Sequence, residues 1–586
     1  MNRKDTAIDR RAGNRPAEWG SDVIAETLRA LDLRYLALNP GASYRGLHDS
    51  LVNHVEDNPH LLLCIHEEAA VAIAHGYAKV TGQPMGVVLH SNVGLMHATM
   101  GIYNAWCDRV PILVIGATGP VDAAQRRPWI DWIHTSQDQG ALIRDFVKWD
   151  DQPGSIEAAQ LSLLEAAARA GTAPCGPVYV NLDAALQERR LDDPLPELDA
   201  ARYAPPPPPA PDPALLSAAA ELLADAQRPV VLMGRLSRDT ADWDRRIALV
   251  DRLAAKVVTD FKTGATFPSA HPANIGKPGY FLDAEAKVAI AAADVIVNLD
   301  GIDFGGALRA VFGPGPIAAR IISATLDVHN HRGWVKDSGL PAPADIHFLN
   351  PPDRVAACLL ERLGAGASAP VTPPPLPTPI EESPMTPQTI AVLLRRGLAG
   401  RKTCLVRAPL SWTGADWPVD HPLGALGSDG GGGVGSGPGM AVGSALALRD
   451  THPDILPLAV LGDGDFLMNA SAIWTAANQR VPLLVVVMNN RSFYNDEVHQ
   501  ESVAIHRGRP RENKTVGVAM EDPDIDIRRI AEGFGAAGYG RITTPAALGA
   551  ALAEALAAVE RGEVAVLDVE AAKGYAPSMA KTLRSG

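Results

Sequence analysis

Two side chains in the last third of the sequence have the chemical types and the spacing of a metal site. Asp463 lies in the segment Gly462-Asp463-Gly464-Asp465, directly after an apolar strand-like run, and Asn490 follows the next such run. One helix-length stretch separates the runs, so a right-handed crossover would bring both residues to the carboxyl edge of neighbouring parallel strands. A carboxylate, an amide oxygen and a backbone carbonyl are hard ligands that suit Mg²⁺. The glycines permit a tight turn whose backbone N–H groups can face phosphate oxygens.

The spacing of 27 residues from Asp463 to Asn490 makes the pair more informative than either short motif alone. The arrangement resembles the GDG…NN signature of thiamine-diphosphate-dependent enzymes, and AIWTAANQRVPLLVVVMNN resembles benzoylformate decarboxylases in particular. The resemblance implies thiamine diphosphate and Mg²⁺ as cofactors, with Asp463, the side chain of Asn490 and the backbone oxygen of Ser492 as metal ligands. It assigns these residues to the diphosphate half of the cofactor site: Gly462, Asp463, Gly464, Asp465, Asn490 and Ser492. A turn with a helix cap and no ligand is the structural alternative.

A glycine-rich run, SDGGGGVGSGPGMAVGSALA, occupies residues 428–447. Such a run is usually a flexible loop, and without GK[ST] it is not a Walker phosphate loop. Its position before Asp463 matches the turn in which the family places an aliphatic residue beneath the cofactor, bending its two rings towards each other. The resemblance gives this place to Val434, and a register shifted by one residue would also fit.

A second group of candidates follows a strand-like run near the N-terminus. His66-Glu67-Glu68 ends the run LLLCI and opens a helix of small residues, where glutamates often merely complement the helix dipole. We assign that role to Glu68. The stretch HEEAAVAIAHGYAKVTG resembles the family pattern HEx(6)AxGYAxxTG. By this resemblance Glu67 hydrogen-bonds the aminopyrimidine ring of the cofactor and takes part in general acid–base catalysis through it.

Candidates for proton transfer to the substrate come from two further places. His90 ends PMGVVLHS, whose LHS resembles benzoylformate decarboxylases, where that histidine faces the substrate; a structural histidine is the alternative. His134 is a minor candidate, because the tandem histidines of pyruvate decarboxylases are missing. Asp496 lies six residues after Asn490, where pyruvate decarboxylases carry an acid facing the reacting carbon. Either Asp496 or Glu497 would be this acid, and a solvated helix face is the alternative.

The elements that must position these residues alternate between strand and helix along the whole chain. Short apolar runs bounded by glycine and proline predict parallel sheets covered on both faces: LLLCIH, PMGVVLHS, PILVIGAT, PVVLMG, AKVVTDF, DVIVNLDG, LPLAVLG and PLLVVVMNN. Helices are predicted over EEAAVAIAHGYAKVTG, LMHATMGIYNAWCD and FLMNASAIWTAANQ. The predicted fold class is α/β, with three doubly wound parallel-sheet domains. By resemblance this is the thiamine-diphosphate-binding fold, with a pyrimidine domain, a central domain and a diphosphate domain.

Proline-rich stretches at residues 204–213 and 364–387 divide a chain that is too long for one core. Long loops within one domain are the alternative reading. The predicted divisions are a flexible N-terminus (1–19), a pyrimidine-binding domain (20–190), a central α/β domain (205–365), a diphosphate-binding domain (385–575) and a C-terminal tail (576–586). Residues 500–522 have no clear counterpart in the benzoylformate pattern, and we predict a lid or a substrate loop there.

Composition argues against several functional classes. A net charge of -14 disfavours nucleic acid and anionic membranes as partners. Five scattered cysteines without a CxxC pair, and no signal peptide or transmembrane run, indicate a reduced cytoplasmic protein. Some relatives bind FAD in the central domain, but their glycine and phosphate motifs are not recognisable in VLMGRLSRDTADWDRR or ANIGKPGYF, so FAD is not predicted.

The sequence therefore predicts an enzyme that uses thiamine diphosphate and Mg²⁺ to decarboxylate a 2-oxoacid, or to join the remaining fragment to a second carbonyl compound. An acetohydroxyacid-synthase-like or 2-hydroxyacyl-type lyase is the first alternative, and a cofactor-binding homologue without activity is the second. In the resembling family different subunits hold the two ends of the cofactor. We therefore expect a homo-oligomer, either a dimer or a dimer of dimers (a homotetramer).

Overall fold

The structure, a computed structural model, describes residues 16–196, 198–327, 342–367, 369–371, 375–378 and 382–574. Residues 1–15 of the predicted flexible N-terminus and the predicted tail 576–586 lie outside the described residues. The last part of that N-terminal segment contacts the chain near residue 190. Leu191 N donates to Glu18 O, and Trp19 forms an isolated antiparallel β-bridge with Arg190. Residues 18 and 19 thus contact the chain near residue 190, and the predicted boundary after residue 19 stays a prediction.

The first sheet has six strands, all paired in parallel, in the order β2-β1-β3-β4-β6-β5. Its strands are β1 (Tyr35–Leu38), β2 (His60–Leu63), β3 (Met85–Val88), β4 (Ile112–Thr118), β5 (Asp150–Asp151) and β6 (Pro177–Asp183). Its helices are α1 (Gly20–Ala30), α2 (Arg45–Asn53), α3 (Glu67–Thr81), α4 (Ser91–Asp108), α5 (Ile130–Ile133), α6 (Ile156–Gly171) and α7 (Ala184–Gln187). Every residue of β4 and β6 is buried, as expected for strands covered on both faces.

The second sheet has five parallel strands in the order β11-β10-β9-β7-β8. Its strands are β7 (Pro229–Met233), β8 (Lys256–Thr259), β9 (Val295–Leu299), β10 (Arg320–Ala324) and β11 (Ile346–Phe348). Its helices are α8 (Pro213–Ala224), α9 (Thr240–Leu253), α10 (Ala284–Ala292), α11 (Phe304–Phe312) and α12 (Pro352–Leu363). Alternate residues of β7 pack into different hydrophobic cores. Val231 and Met233 belong to one core, and Val230 and Leu232 belong to the other. This period of two is what an apolar strand with helices on both faces requires.

The third sheet has five parallel strands in the order β12-β13-β14-β16-β15. Its strands are β12 (Thr403–Arg407), β13 (Leu456–Gly462), β14 (Leu483–Asn489), β15 (Ala537–Ile542) and β16 (Val564–Glu570). The helices of this part of the chain are α13 (Pro387–Gly397), α14 (Gly437–Thr451), α15 (Asp463–Met468), α16 (Ala472–Asn478), α17 (Tyr494–His506), α18 (Ile527–Gly533) and α19 (Pro545–Glu560). The predicted fold class is therefore confirmed: three parallel-sheet α/β domains. Their predicted limits stay predictions.

The helix predicted over residues 466–479 is wrong in one respect, because the structure has two helices there. The backbone of Asn469 (φ -145, ψ 38) leaves the helical region and ends α15, and α16 begins at Ala472. Asparagine commonly ends helices in this way, since its side chain competes for backbone hydrogen bonds. None of the helices in the described residues is long and apolar enough to cross a membrane.

The chain forms two compact units by its internal contacts. The first contains the six-stranded sheet together with residues 429–447 and 471–479, and the second contains both five-stranded sheets. Within the first unit, Ser444 Oγ donates to Gly76 O at 3.1 Å. The glycine-rich segment thus packs against α3, although it lies far from that helix in the sequence.

Candidate active site

Asp463 is a buried carboxylate held by backbone donors. It is the first residue of α15, directly after β13, and is 3% exposed. Gly464 N donates to its Oδ1 at 2.9 Å, and Ser492 N donates to its Oδ2 at 3.3 Å. Burial raises the pKa of Asp463 to about 6, and these backbone hydrogen bonds oppose the increase. A nearby cation would offset the cost of keeping this buried group ionised.

Asn490 brings a second hard oxygen to the same point. It follows β14, which pairs in parallel with β13 up to Gly462 and Met488. The amide Oδ1 of Asn490 accepts from Ser492 N at 3.0 Å, so it converges with Asp463 Oδ2 on one backbone donor. Two such oxygens at the end of adjacent strands fit one small divalent cation. The role of the Ser492 backbone oxygen as a ligand stays a prediction.

The two glycines of the GDG motif have different surroundings. A Cβ at Gly464 would lie 2.6 Å from Cε1 of Phe493, so a side chain there would displace this ring. A Cβ at Gly462 would meet no atom within 4 Å apart from its two chain neighbours, which leaves open space at the N-terminus of α15. The side-chain oxygens of Asp463 and Asn490, together with this space, fit a diphosphate-bound Mg²⁺. The carboxylate of Asp465 lies 3.6 Å from the Nε of Arg407, at the end of β12, and its predicted role at the diphosphate stays a prediction.

The structure separates the two neighbouring acids of α17. Asp496 is exposed, whereas Glu497 is 1% exposed. The Oε1 of Glu497 accepts a hydrogen bond from Ser492 Oγ and lies 2.6 Å from Lys573 Nζ. Glu497 is thus committed to an internal ion pair, while Asp496 is open to a substrate. Lys573 was not predicted, because nothing in the sequence links two residues 76 positions apart.

Glu67, the first residue of α3, is 7% exposed and has a histidine partner. Its Oε2 lies 3.0 Å from Nδ1 of His97, a residue of α4 whose ring stacks on His66 at 5.1 Å. A Cβ at Gly94 would lie 3.3 Å from Oε1 of Glu67, so this glycine leaves room for the carboxylate. His97 was not among the predicted site residues. Its spacing of seven residues from His90, two helical turns on one face, is the signal that would have found it.

His90 lies at the N-cap position of α4, and its side chain lies beside two further polar groups. Its Nδ1 lies 2.9 Å from Ser43 Oγ, and its ring meets the ring of His134 edge-on at 4.9 Å. Burial lowers the pKa of His90, and the neighbouring His134 lowers it further, while Glu67 acts in the opposite direction. The structure therefore places both predicted histidines together, at the carboxyl edge of the sheet that also carries Glu67.

The glycine-rich segment lies against α4 within the first unit. A Cβ at Gly430, Gly431 or Gly433 would come closer to side chains of that helix than Cβ atoms ordinarily approach other atoms. Glycine is required at these positions because only its backbone can approach a helix so closely. Val434, next in the run, is 44% exposed. Its side chain is thus available to a ligand, and its predicted role beneath the cofactor stays a prediction.

Matches to protein-family models identify the family to which this chain belongs. Family models for thiamine pyrophosphate enzymes match three parts of the chain: the N-terminal TPP binding domain at residues 18–142, the central domain at 216–327 and the C-terminal TPP binding domain at 410–569. Thiamine pyrophosphate is another name for thiamine diphosphate. The chain belongs to the thiamine-diphosphate-dependent enzyme family. The family predicted from the two motifs is therefore confirmed.

Individual relatives are distant. The chain is 26% identical over 496 residues to benzoylformate decarboxylase of Pseudomonas aeruginosa, covering 80% of this chain and 85% of that protein. It is 25% identical over 534 residues to the acetolactate synthase large subunit of Lactococcus lactis, covering 88% and 87%. A solved thiamine-diphosphate-dependent 4-hydroxybenzoylformate decarboxylase from Rhodococcus jostii shares the fold, with a TM-score of 0.77 over 95% of this chain and 100% of that chain at 22% identity.

Proposed function

We propose that this thiamine-diphosphate-dependent enzyme also requires Mg²⁺ and decarboxylates a 2-oxoacid, then either releases an aldehyde or joins the remaining fragment to a second carbonyl compound. The main support is the convergence of Asp463 Oδ2 and Asn490 Oδ1 on one backbone N–H, inside the region matched by the C-terminal TPP binding model. When bound, the cofactor supplies an electron sink for cleavage of the bond next to the carbonyl.

The residues of the second unit would bind the diphosphate end. Asp463, Asn490 and the backbone oxygen of Ser492 would hold the metal, with Gly462 leaving space for the phosphate oxygens. Asp463 is suited to this role because its position is set by backbone donors rather than by mobile side chains.

The residues of the first unit would manage protons. Glu67 would bind the aminopyrimidine ring, and His97 would hold the Glu67 carboxylate in position through the 3.0 Å contact. His90 would exchange a proton with the substrate, because its lowered pKa keeps it neutral, and able to accept a proton, near pH 7.

For the acid near the reacting carbon we propose Asp496. Glu497 remains in the ion pair with Lys573, and removing it from that pair would leave an unpaired buried charge. The exposed Asp496 pays no such cost when a substrate approaches.

Carboligation is the second candidate outcome, and the similarity to an acetolactate synthase over 88% of the chain supports it. A screen of 2-oxoacids separates the possibilities. Purified protein with thiamine diphosphate and Mg²⁺ is offered pyruvate, benzoylformate and longer 2-oxoacids, with and without an acceptor aldehyde. We expect CO₂ release from at least one of them, and the organic product shows which outcome follows. Cofactor binding without CO₂ release from any substrate would favour the inactive homologue.

The remaining predictions belong to this proposal. FAD is not part of it. A homo-oligomer, dimer or dimer of dimers, follows from the family resemblance, and sedimentation of an active enzyme as a monomer would contradict it. The cytoplasmic location stays a prediction.

A further inference from the structure

Residues 493–518 form an excursion that we call the arginine hairpin. It consists of α17, a reversal at Gly508 in the left-handed region (φ +62) and a return that includes a short 3-10 helix, Arg511–Thr515. Its two ends meet at the candidate metal-binding segment: Phe493 N donates to Val518 O at 3.3 Å, and Met520 N donates to Arg491 O at 2.8 Å. The hairpin is thus anchored on the segment that carries Asn490 and Ser492.

A groove with a volume of about 470 Å³ lies between α17 and the returning chain. Its principal lining residues are His499, Val503, Ala504, Arg507, Arg509 and Pro510. An ion pair of 3.1 Å between Lys514 and Glu501 ties the returning chain to α17. The volume lies within the range of small-molecule sites.

The charges in this groove are unbalanced. Arg507 and Arg509 are exposed, and within the part of the chain that the structure describes neither forms an ion pair. The groove lining contains no Asp or Glu. Lys514, on the same hairpin, has its charge balanced by Glu501. Two neighbouring guanidinium groups repel each other and concentrate positive potential, although the whole protein carries a net charge of -14.

The groove lies along the same stripe of α17 as the acid that we propose for catalysis. On a helix, residues at spacings of four, seven and eleven lie on one stripe, and Gln500, Val503 and Arg507 have these spacings from Asp496. Gln500, Val503 and Arg507 all line the groove. Eleven residues at 1.5 Å each separate Asp496 from Arg507 by about 16 Å along the axis.

We propose that the arginine hairpin binds a small organic anion. Arg507 and Arg509 hold its carboxylate or phosphate group by charge-assisted hydrogen bonds, and its apolar part packs on Val503, Ala504 and Pro510. Two sources share this chemistry: the far end of an elongated substrate whose reacting end lies at Asp496, or a separate effector. The first source rests on the proposed function, whereas binding itself does not.

Calorimetry on the cofactor- and Mg²⁺-loaded protein tests binding. The probe is phenyl phosphate, an aromatic anion, and phenol is the neutral control. Loading fills the diphosphate site, so the probe cannot bind there. We expect phenyl phosphate to bind more tightly than phenol, and the double variant Arg507→Gln/Arg509→Gln to weaken it at least about tenfold, because two charge-assisted contacts are lost. Added salt should weaken it in the wild type.

Arg511→Gln is the matched control, since Arg511 is an exposed arginine of the same hairpin outside the groove lining. We expect it to change binding by no more than about twofold. Circular dichroism and thermal melting verify that all variants fold. Binding of phenyl phosphate no tighter than that of phenol, or equal loss in the Arg511→Gln control, would overturn the proposal. Failure of the 2-oxoacid screen would contradict the proposed function and leave this binding result standing.

Steady-state kinetics then distinguish the two sources. If the groove holds the far end of the substrate, phenyl phosphate competes with the 2-oxoacid and raises KM. If it holds an effector, phenyl phosphate changes kcat without competing. Either kinetic effect supports the proposed site if phenyl phosphate no longer has that effect on the double variant but still has it on the Arg511→Gln variant. An effect that survives in the double variant would show that the anion acts elsewhere and would count against the groove.

Discussion

The two candidate half-sites occupy equivalent places but hold their carboxylates by different means. Glu67 and Asp463 each begin a helix that follows a parallel strand, and each is at most 7% exposed. Glu67 contacts the imidazole of His97. Asp463 accepts from the backbone N–H groups of Gly464 and Ser492. One carboxylate therefore has a partner that can exchange protons, and the other has partners of fixed position.

The difference matches the chemistry proposed for each half-site. A backbone N–H cannot give up its proton, so Asp463 remains an acceptor and is suited to a cation. An imidazole can both donate and accept a hydrogen bond, so a carboxylate beside it has a partner that can pass a proton. We therefore expect side-chain changes around Glu67 to alter rates, and changes at Asp463 to alter binding.

The largest expected effect is at Glu67. Glu67→Gln keeps the shape of the side chain but removes the carboxylate, so kcat should fall by about two orders of magnitude or more, the usual scale of general acid–base catalysis. Cofactor binding, measured by calorimetry, should change little. Glu68→Gln is the matched control and should retain activity. Wild-type kcat in the Glu67→Gln variant would remove the distinction between the half-sites.

The substitution Asp463→Ala should weaken cofactor binding. Loss of a charged metal ligand should weaken thiamine diphosphate binding at least tenfold, or about 1.4 kcal/mol. Calorimetry with and without Mg²⁺ measures the effect, which should vanish when the metal is absent. The control is Asp454→Ala, an exposed acid that pairs with Lys402. Unchanged affinity in the Asp463→Ala variant would refute the metal assignment.

The adjacent acids of α17 should respond in opposite ways. Glu497→Gln weakens a buried ion pair, and such losses cost about 3 kcal/mol, so the melting temperature should fall by several degrees. Asp496→Asn should leave melting unchanged and lower kcat by about tenfold or more. Calorimetric melting and turnover assays on both variants test this pair. A reversed pattern would make Glu497 the acid near the substrate.

The smallest expected effect concerns pH and His90. Burial lowers the pKa of His90 in the folded protein below its ordinary value of 6.5. At pH values between the lowered pKa and 6.5, the unfolded state therefore binds more protons than the folded state. Its contribution to stability is therefore complete above pH 6.5 and decreases as pH falls through the lowered pKa. Denaturant unfolding at pH 7.5 and pH 5.5 measures the decrease. His90→Gln should make the loss of unfolding free energy between pH 7.5 and pH 5.5 slightly smaller. An identical pH dependence in the variant would argue that His90 does not contribute.

Much of the fold could be predicted because its signals are local. The apolar runs mark two or three strands of each sheet: β2, β3 and β4 in the first, β7, β8 and β9 in the second, and β13 and β14 in the third. One crossover rule is enough to bring Asp463 and Asn490 to the same edge. The motif around Glu67 likewise lies within a single strand–helix unit. These inferences need only short stretches of sequence and the order in which they occur.

The sequence by itself determined the α/β class and the family, and it singled out Glu67 and Asp463 as candidates, since each of these inferences depends on motifs within short strand–helix units. Contacts between distant segments required the three-dimensional structure. Lys573 reaches Glu497 across 76 positions. A helical spacing can single out His97, but only the structure shows that its ring contacts Glu67. Which acid is buried and which is exposed depends on such partners, because burying a charge is tolerated only where an opposite charge or a hydrogen bond is supplied.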